Sequence, residues 1–591
     1  AARRGRALSA SPVPQPVTGV ETARELERSA PPAVDVVASG GNRIGPAGVG
    51  VIAAGAIALL YGLLVRLWLL AHLPLFGDES VVGLMARGVD HGHFSAFYWG
   101  QRYGGLESYV AALVLPIGGG GEPALNATPA LLSALAALLV GAITYAVGRQ
   151  RLVAFAAGCL VWVWPYAVVW ESVREVGFRY AALCCGLAAI LGCVRAWRGR
   201  AGPATFGLLG LALGLGWWAS PEIVYFVLPC LVLLVGWWWA AAPRRGAEFR
   251  NDPAALGRGA SLALVVIGAA VGSLPWWYAN VNDGFASLRR GALPADSGIT
   301  YGGRLSVFFH DMLPLQLGVK TVLSGAWVGG SVLGPVLFAL IVALVVAALA
   351  RAVWLFSQGR DLVPLALAAG VVTFPFLYAA APGTGYWIDG RYGVYLPALV
   401  AALFGAVVVV HKRQPAPAEP SRARVHAGVL SSVAVGVLGA TFLTLGAAHA
   451  NGVPASSSFF SGWHNPDAPM QQAIDGMRRH HIEDAYGDYW TAYSLDFVGD
   501  GQPLVSPSVL DVNRSTAIAA GVAASNDPAW LFFSPDETAA AAAAFSNPQP
   551  GPGPYTEASF EALLRQRGIS FKVVKLGVLD AVVPSRRVTT P

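Results

Sequence analysis

Charged side chains are scarce in this chain. Asp, Glu, Lys and Arg make up 13% of its 591 residues, while apolar residues make up 55%. Soluble domains carry about 25% charged residues, so about half of the usual charge is missing. That deficit cannot be spread over a water-facing surface, and it excludes disorder throughout, a collagen-like chain and an ordinary soluble enzyme. A polytopic membrane protein remains. Cysteine is nearly absent as well. The five present (Cys159, Cys184, Cys185, Cys193 and Cys230) all fall inside apolar stretches. They are too few for a disulfide framework and read as small hydrophobes. The net charge of +6 does not signal a nucleic-acid partner. Lys and Arg sit in short runs between apolar stretches, the arrangement that membrane topology requires.

What is present divides the chain in three. Residues 1–46 are rich in Ala, Pro, Ser and Arg and lack apolar periodicity. Arg3, Arg4 and Arg6 are followed by no apolar stretch, so a disordered cytoplasmic tail is expected rather than a cleaved signal peptide. Residues 47–450 alternate apolar spans with short polar breaks, and 451–591 have the composition of a soluble domain. The spans fall at 49–73, 127–147, 153–170, 177–195, 203–219, 221–241, 259–280, 331–355, 362–381, 391–411 and 425–449. They predict about eleven transmembrane helices, each near the about 20 residues that cross about 30 Å of hydrocarbon; 153–170 and 203–219 are short. Segments 104–117 and 311–329 are apolar but broken by Gly and Pro, and are expected as helices lying at the outer interface or dipping into it.

Basic residues set the orientation. Alternate loops carry Arg149 and Arg151; Arg195, Arg198 and Arg200; Arg244, Arg245, Arg250 and Arg258; Arg351 and Arg360; and Lys412, Arg413, Arg422 and Arg424. The loops near 171–176, 220–222 and 382–390 are nearly free of Lys and Arg. A cytoplasmic N-terminus and an extracytoplasmic C-terminal domain follow, in a multi-pass protein of the cell membrane.

The outer side collects chemistry-bearing residues. The long first outer loop, 74–126, opens with Asp78 and Glu79 just after the first span. A carboxylate pair at a membrane boundary is costly unless solvated or paired. It is either a solvated loop start or a general base in a site opening outward. Glu171 and Glu175 flank Arg174 in WESVREVGFRY; Glu222 follows Pro221 in WWASPEIVYF; Asp389 and Arg391 lie in YWIDGRYGVYLP; Arg66 lies in the outer third of the first span. Each has a bland reading. Arg391 and Arg66 can snorkel to headgroups, Glu222 can cap a helix, and Arg174 can pair with its neighbouring glutamates. Tyr98, Trp99 and Tyr103 in YWGQRY can anchor the interface or stack on a sugar ring. His91 and His93 with Asp90 make only a weak metal pattern, so no metal site is assigned.

The opening Asp78-Glu79, the stretch YWGQRYGGLESYV with its Gln101, and then WESVREVGFRY, GLGWWASPEIVYFVLP, GSLPWWYANVNDGFASL and DGRYGVYLP follow one another in this order. Together with the YGDYWTAYSLDF start of the last region, they resemble the C-type glycosyltransferase (GT-C) superfamily. The resemblance is to its bacterial branch related to protein O-mannosyltransferases and the aminoarabinose transferase of lipid A, in the actinobacterial type, and it covers roughly 50–410. It implies sugar transfer, hexosyl or pentosyl, from a polyprenyl-phosphate donor on the outer face to a glycan, lipid or protein acceptor. By the resemblance Asp78, with Glu79 adjacent, is the catalytic carboxylate. Arg391 maps to the donor phosphate, with Arg289, Arg290, Arg304 and Lys320 as further candidates, and Arg66, which no motif surrounds, is assigned to the phosphate beside it. Tyr98, Trp99, Gln101, Tyr103, Glu171, Arg174, Glu222 and Asp389 are placed around the substrate. Some relatives use a divalent metal, for which Glu171 or Glu222 would serve; no cofactor is required.

The residues agree with that chemistry. A sugar phosphate already has a good leaving group, so one carboxylate suffices where a hydrolase needs an acid and a base. It deprotonates the acceptor hydroxyl during attack on the anomeric carbon, and a single displacement inverts that carbon. A guanidinium suits the departing phosphate. Trp217, Trp218, Trp276 and Trp277 can line a prenyl groove or simply pack. The rival readings are a transporter or lipid flippase of the cell envelope, which predicts broken helices with midplane charges, and a non-catalytic scaffold. In 451–591, PMQQAIDGMRRHH, ETAAAAAAF and TEASFEALLRQRG predict helices. EDAYGDYWTAYSLDFVG predicts a strand and then a helix or second strand, AWLFFSP a strand and ISFKVVKLGVLDAVVP a closing hairpin. A small α/β domain follows. The sequons at 126–128 and 513–515 are read as incidental.

Overall fold

The computed structural model describes residues 45–75, 77–240, 257–288, 298–409, 420–453, 467–534, 536 and 551–588. The expected tail up to residue 44, Arg244, Arg245, Arg250, Arg289, Arg290, Lys412, Arg413 and the ETAAAAAAF helix lie outside the described residues.

In chain order the helical part comprises α1 (Pro46–His72), α2 (Gly77–Asp90), α3 (Leu106–Val114), α4 (Glu122–Gly148), α5 (Arg151–Val163) and α6 (Tyr166–Glu171). It continues with α7 (Arg179–Trp197), α8 (Pro203–Ala219), α9 (Val224–Ala240), α10 (Arg258–Gly272), α11 (Leu274–Asn282), α12 (Tyr301–Val307) and α13 (Leu313–Gln316). It closes with α14 (Gly330–Ser357), α15 (Val363–Ala380), α16 (Tyr395–Val409) and α17 (Pro420–Ala450).

Each predicted span holds helix among its described residues. Among the described residues, eight helices are long and apolar enough to cross a membrane, and the pair α10–α11, bent by 56°, makes a ninth. The two short predicted spans are short in the fold. At 1.5 Å per residue, α5 and α8 reach about 20 and about 26 Å, less than the hydrocarbon thickness. α5 stops before Pro165, which has no N–H to continue the ladder, and α6 resumes beyond it. The bend after α10 falls at Ser273, with Pro275 in the first turn of α11. Segment 311–329 departs from expectation: helix ends at Gln316, and the rest is a loop closed by the bridge Lys320–Trp327.

Packing between spans relies on small residues where lipid offers no hydrophobic contrast. α8 and α10 press together at Gly210, Gly214, Gly268 and Gly272. A Cβ on Gly210 would run into the Val265 carbonyl.

The C-terminal part forms α18 (Ala468–Arg479), β1 (Asp484–Gly487), α19 (Tyr489–Gly499), β2 (Leu504–Pro507), α20 (Thr516–Ala524), β3 (Ala529–Phe533), α21 (Glu557–Gln566), β4 (Phe571–Lys575) and β5 (Leu579–Pro584). The sheet order is β2-β1-β3-β5-β4. β1 runs parallel to β2 and β3, with Asp484 opposite Leu504 and Ala485 opposite Ala529. β5 runs antiparallel to β3 and β4. Trp530, Phe532 and Phe560 fill one face.

The other face does not stand alone. Met470, Ile474, Ala492 and Phe497 share one core with Val81, Val82 and Met85 of α2 and with Leu125 of α4. The first loop helix is therefore clamped between the membrane bundle and the C-terminal domain. The chain is a helical membrane protein with a small C-terminal α/β domain.

Candidate active site

Asp78 and Glu79 occupy the first turn of α2, where the helix dipole favours carboxylates. Adjacent residues on a helix point about 100° apart, and here that angle separates them. Glu79 is fully buried and turns inward. It is paired with Arg174 Nε, and Asn126 Nδ2 donates to it at 3.5 Å. Asp78 turns the other way, to Arg391, whose Nη1 is 3.6 Å from Oδ2. Its Oδ1 accepts from the Tyr489 hydroxyl at 2.5 Å, and the Tyr98 hydroxyl lies 3.5 Å from the same oxygen.

Arg391 comes from the 3-10 turn Arg391–Gly393 just before α16. Gly390 has φ +86°, and its carbonyl accepts from Gln316 Nε2 at 2.8 Å, which fixes the turn. Arg391 Nε lies 3.1 Å from Asp389 Oδ2, and the guanidinium faces the rings of Tyr386 and Tyr392. A second cation shares the Tyr392 ring. Arg179 lies 4.7 Å from that ring and 3.7 Å from Glu222, whose Oε2 accepts from the Tyr395 hydroxyl at 2.6 Å. Ser220 also donates to Glu222, so the expected helix-start glutamate is an acceptor for three groups. Tyr103 packs edge-on against Phe178 beside Arg179.

YWGQRY forms a tight hairpin. Tyr98 N donates to Tyr103 O and Gln101 N to Tyr98 O, each at 2.9 Å. Tyr98 is buried and donates to the Asp78 carbonyl at 3.1 Å. Trp99 N meets Met85 Sδ, and Gln101 Oε1 is buried without a partner. Trp218 Nε1 holds the segment before the hairpin by donating to Ala96 O. Beneath the hairpin, burial pushes Glu107 up to about 7 and Glu175 well above the carboxylate range; Glu107 raises Glu175 further.

Asp78, Arg391, Asp389, Tyr98, Tyr103 and Glu222 are thus gathered at one end of the bundle, and buried Glu171 adds its field to Arg391. Arg66 is not brought to this group. It is 2% exposed, donates to Ser172, Ser133, Gly62 O and Trp162 O, and stacks on Trp162. These neutral acceptors make it a brace between α1, α4 and α5. Glu79 and Arg174 belong to the same kind of internal bracing. Arg304 donates to Ala379 O and Ile299 O, and Lys320 pairs with Asp311 at 2.8 Å. Asn126 is buried and its Oδ1 accepts from Glu175 N, so the first sequon is inaccessible. Among the described residues no three His, Cys, Asp or Glu side chains form a metal-holding group. The donor set around Asp78 is filled by guanidiniums and phenols, and does not fit a divalent ion.

Three residues were missed in the sequence. Arg179 hides at the head of a span. Tyr489 and Arg514 come from the C-terminal domain, with Arg514 Nε 3.3 Å from the Tyr489 hydroxyl. Burial and Asp78 hold the Tyr489 phenol well above its ordinary value, so it stays a donor. Burial opposes charge on Arg514, but Tyr489, Tyr98 and Asp78 outweigh it and keep the group cationic.

No protein-family model and no curated protein sequence matches the chain. Solved structures do. ArnT from Cupriavidus metallidurans bound to undecaprenyl phosphate superposes with a TM-score of 0.53 at 15% identity, covering 90% of this chain and 97% of ArnT. The apo state of the same protein gives 0.54 at the same identity and coverage. An oligosaccharyltransferase from Archaeoglobus fulgidus gives 0.41 at 14% identity over 81% of this chain and 67% of its own. From the membrane bundle through the C-terminal domain, this chain has the fold of ArnT, a GT-C membrane glycosyltransferase.

Proposed function

We propose that the chain is a membrane glycosyltransferase that moves a sugar from a polyprenyl-phosphate donor to an acceptor hydroxyl. One observation carries the reading. Asp78 and Arg391, far apart in sequence, meet at 3.6 Å at one end of an apolar bundle, with Arg179 against the ring of Tyr392 that Arg391 also faces. The ArnT fold with its bound undecaprenyl phosphate supports the donor class.

Asp78 acts as general base: it takes the acceptor proton while the acceptor oxygen bonds the anomeric carbon. The bond from that carbon to the phosphate oxygen breaks, and the configuration inverts. Arg391 and Arg179 face the charge that grows on the leaving phosphate, where planar guanidiniums pair well with phosphate oxygens. Asp389 holds Arg391 in place and Glu222 holds Arg179. Tyr103, Trp99 and Gln101 border the sugar. The distribution of basic loops supports an extracytoplasmic side for this end of the bundle and for the C-terminal domain packed on α2.

The test is incubation of the purified full chain with a panel of decaprenyl- and undecaprenyl-phosphate sugars, using an envelope fraction as acceptor source. Release of polyprenyl phosphate with sugar in the acceptor fraction is expected for one donor class. Failure to consume any of the panel would refute the proposal.

A further inference from the structure

The proton-accepting oxygen of the base is already taken. Arg391 sits on Oδ2 of Asp78, and the Tyr489 hydroxyl donates to Oδ1 at 2.5 Å. This is the length of a charge-assisted O–H···O⁻ bond, about 2.5–2.7 Å. An acceptor hydroxyl must also donate to this carboxylate before it loses its proton, so it competes with the phenol for the lone pairs that Arg391 and Tyr98 leave open.

Tyr489 is held there by its own domain. Arg514 Nε donates to its hydroxyl at 3.3 Å. The 513–515 loop that carries Arg514 is fixed through Tyr493, whose hydroxyl accepts from Arg514 N at 2.6 Å and Ser515 N at 3.1 Å and donates to Asn513 Oδ1 at 3.2 Å. α19 cannot drift from α2, because Trp490 backs directly onto Gly77, where a Cβ would stand 3.1 Å from the Trp490 Cα.

We propose that Tyr489 is a placeholder for the acceptor hydroxyl. It occupies Asp78 between turnovers, keeps water off that oxygen, and is displaced when an acceptor docks. The inference rests on the glycosyl-transfer reading and assigns the C-terminal domain a part in it: coupling donor cleavage to acceptor arrival. The reaction held back is hydrolysis. Water gives a proton to Asp78 as its oxygen bonds the anomeric carbon, the carbon–phosphate oxygen bond breaks with its electron pair, and free sugar and polyprenyl phosphate leave. Tyr489 is a positioning residue, and its loss has a signature that a structural role lacks.

Tyr489→Phe keeps the ring and deletes the hydroxyl, leaving room for water on Oδ1. In acceptor-free liposomes supplied with the panel of polyprenyl-phosphate sugars, Tyr489→Phe is expected to release free sugar about tenfold faster than wild type or more. That is the scale of one hydrogen bond to a charged group. Arg514→Gln, which leaves the phenol but removes its anchor, gives a smaller rise. Phe560→Leu, in the domain core away from Asp78, lowers Tm without changing the ratio of hydrolysis to transfer. All chains are also assayed with an envelope fraction as acceptor source. If Tyr489→Phe hydrolyses donor no faster than wild type, while wild type transfers sugar and Asp78→Asn does not, the placeholder is overturned and the transferase reading stands. If wild type transfers nothing, or Asp78→Asn transfers equally well, both fall.

Discussion

Asp78 and Glu79 are sequence neighbours with opposite fates, and mutation separates them at the residue scale. Glu79 is fully buried against Arg174. Breaking a buried pair strands the remaining charge, so Glu79→Gln is expected to destabilise the protein by about 3 kcal/mol. Thermal unfolding in detergent measures the loss, and an unchanged Tm would contradict the bracing role. Arg391 contacts Asp78, Asp389 and two tyrosine rings at once. Arg391→Ala is expected to raise the donor KM more than the acceptor KM. Lys does not rescue it, because an ammonium cannot satisfy the same fork of contacts. If only the acceptor KM moved, Arg391 would need another role. Charges at the boundary of apolar stretches stand out, so Asp78, Asp389 and Arg391 were legible in the sequence. Arg179 was not, because an arginine at the head of a span reads equally well as a headgroup anchor. Tyr489 lay in the quoted YGDYWTAYSLDF and Arg514 in the sequon at 513–515, but neither stretch told that these side chains reach Asp78, since a tyrosine and an arginine in a soluble domain are ordinary until tertiary packing aims them.

At the scale of elements, α19 offers a pH test. Asp488 caps it by accepting from Trp490 N and Thr491 N, yet burial pushes its carboxyl up to about 7 despite those bonds. The fold therefore binds this proton more tightly than the unfolded chain, where Asp titrates near about 3.9. The stability this contributes is fully present below about pH 4 and is lost as pH rises through about 7. Asp488→Asn retains a good cap and cannot titrate. Its Tm is expected to fall less than that of wild type between those limits, and parallel profiles would contradict the assignment. Hydropathy located the membrane helices because apolar length is a strong signal. It gave no warning that 317–329 is a loop, since glycines and apolar residues serve both. Strand β2 and helix α20 escaped notice for a similar reason. LVSP and TAIAAGVAA are too short or too alanine-rich to show a period.

For the whole molecule, the C-terminal domain and α2 are one packing unit, because Phe497 and Ala492 share a core with Val82 and Met85. The helix bearing Asp78 is thus supported from both sides. A chain ending at residue 450 is expected to lose transfer entirely and to expose α2 to protease. A truncated chain that transfers sugar at the full rate would contradict the shared core. Composition announced a second region after 450, but not that its helices would complete the first loop. Hydropathy reports what each segment avoids, not which partner it finds.

The most direct measurement is the initial rate of sugar transfer by Asp78→Asn at saturating polyprenyl-phosphate donor, with Tm recorded on the same preparation. Asparagine keeps the side-chain oxygen that accepts from Tyr489 but cannot take a proton. The rate is expected to fall by about a hundredfold to ten-thousandfold, the contribution of a general base, with Tm near that of wild type. A well-folded Asp78→Asn protein that transfers sugar at the wild-type rate would contradict the account.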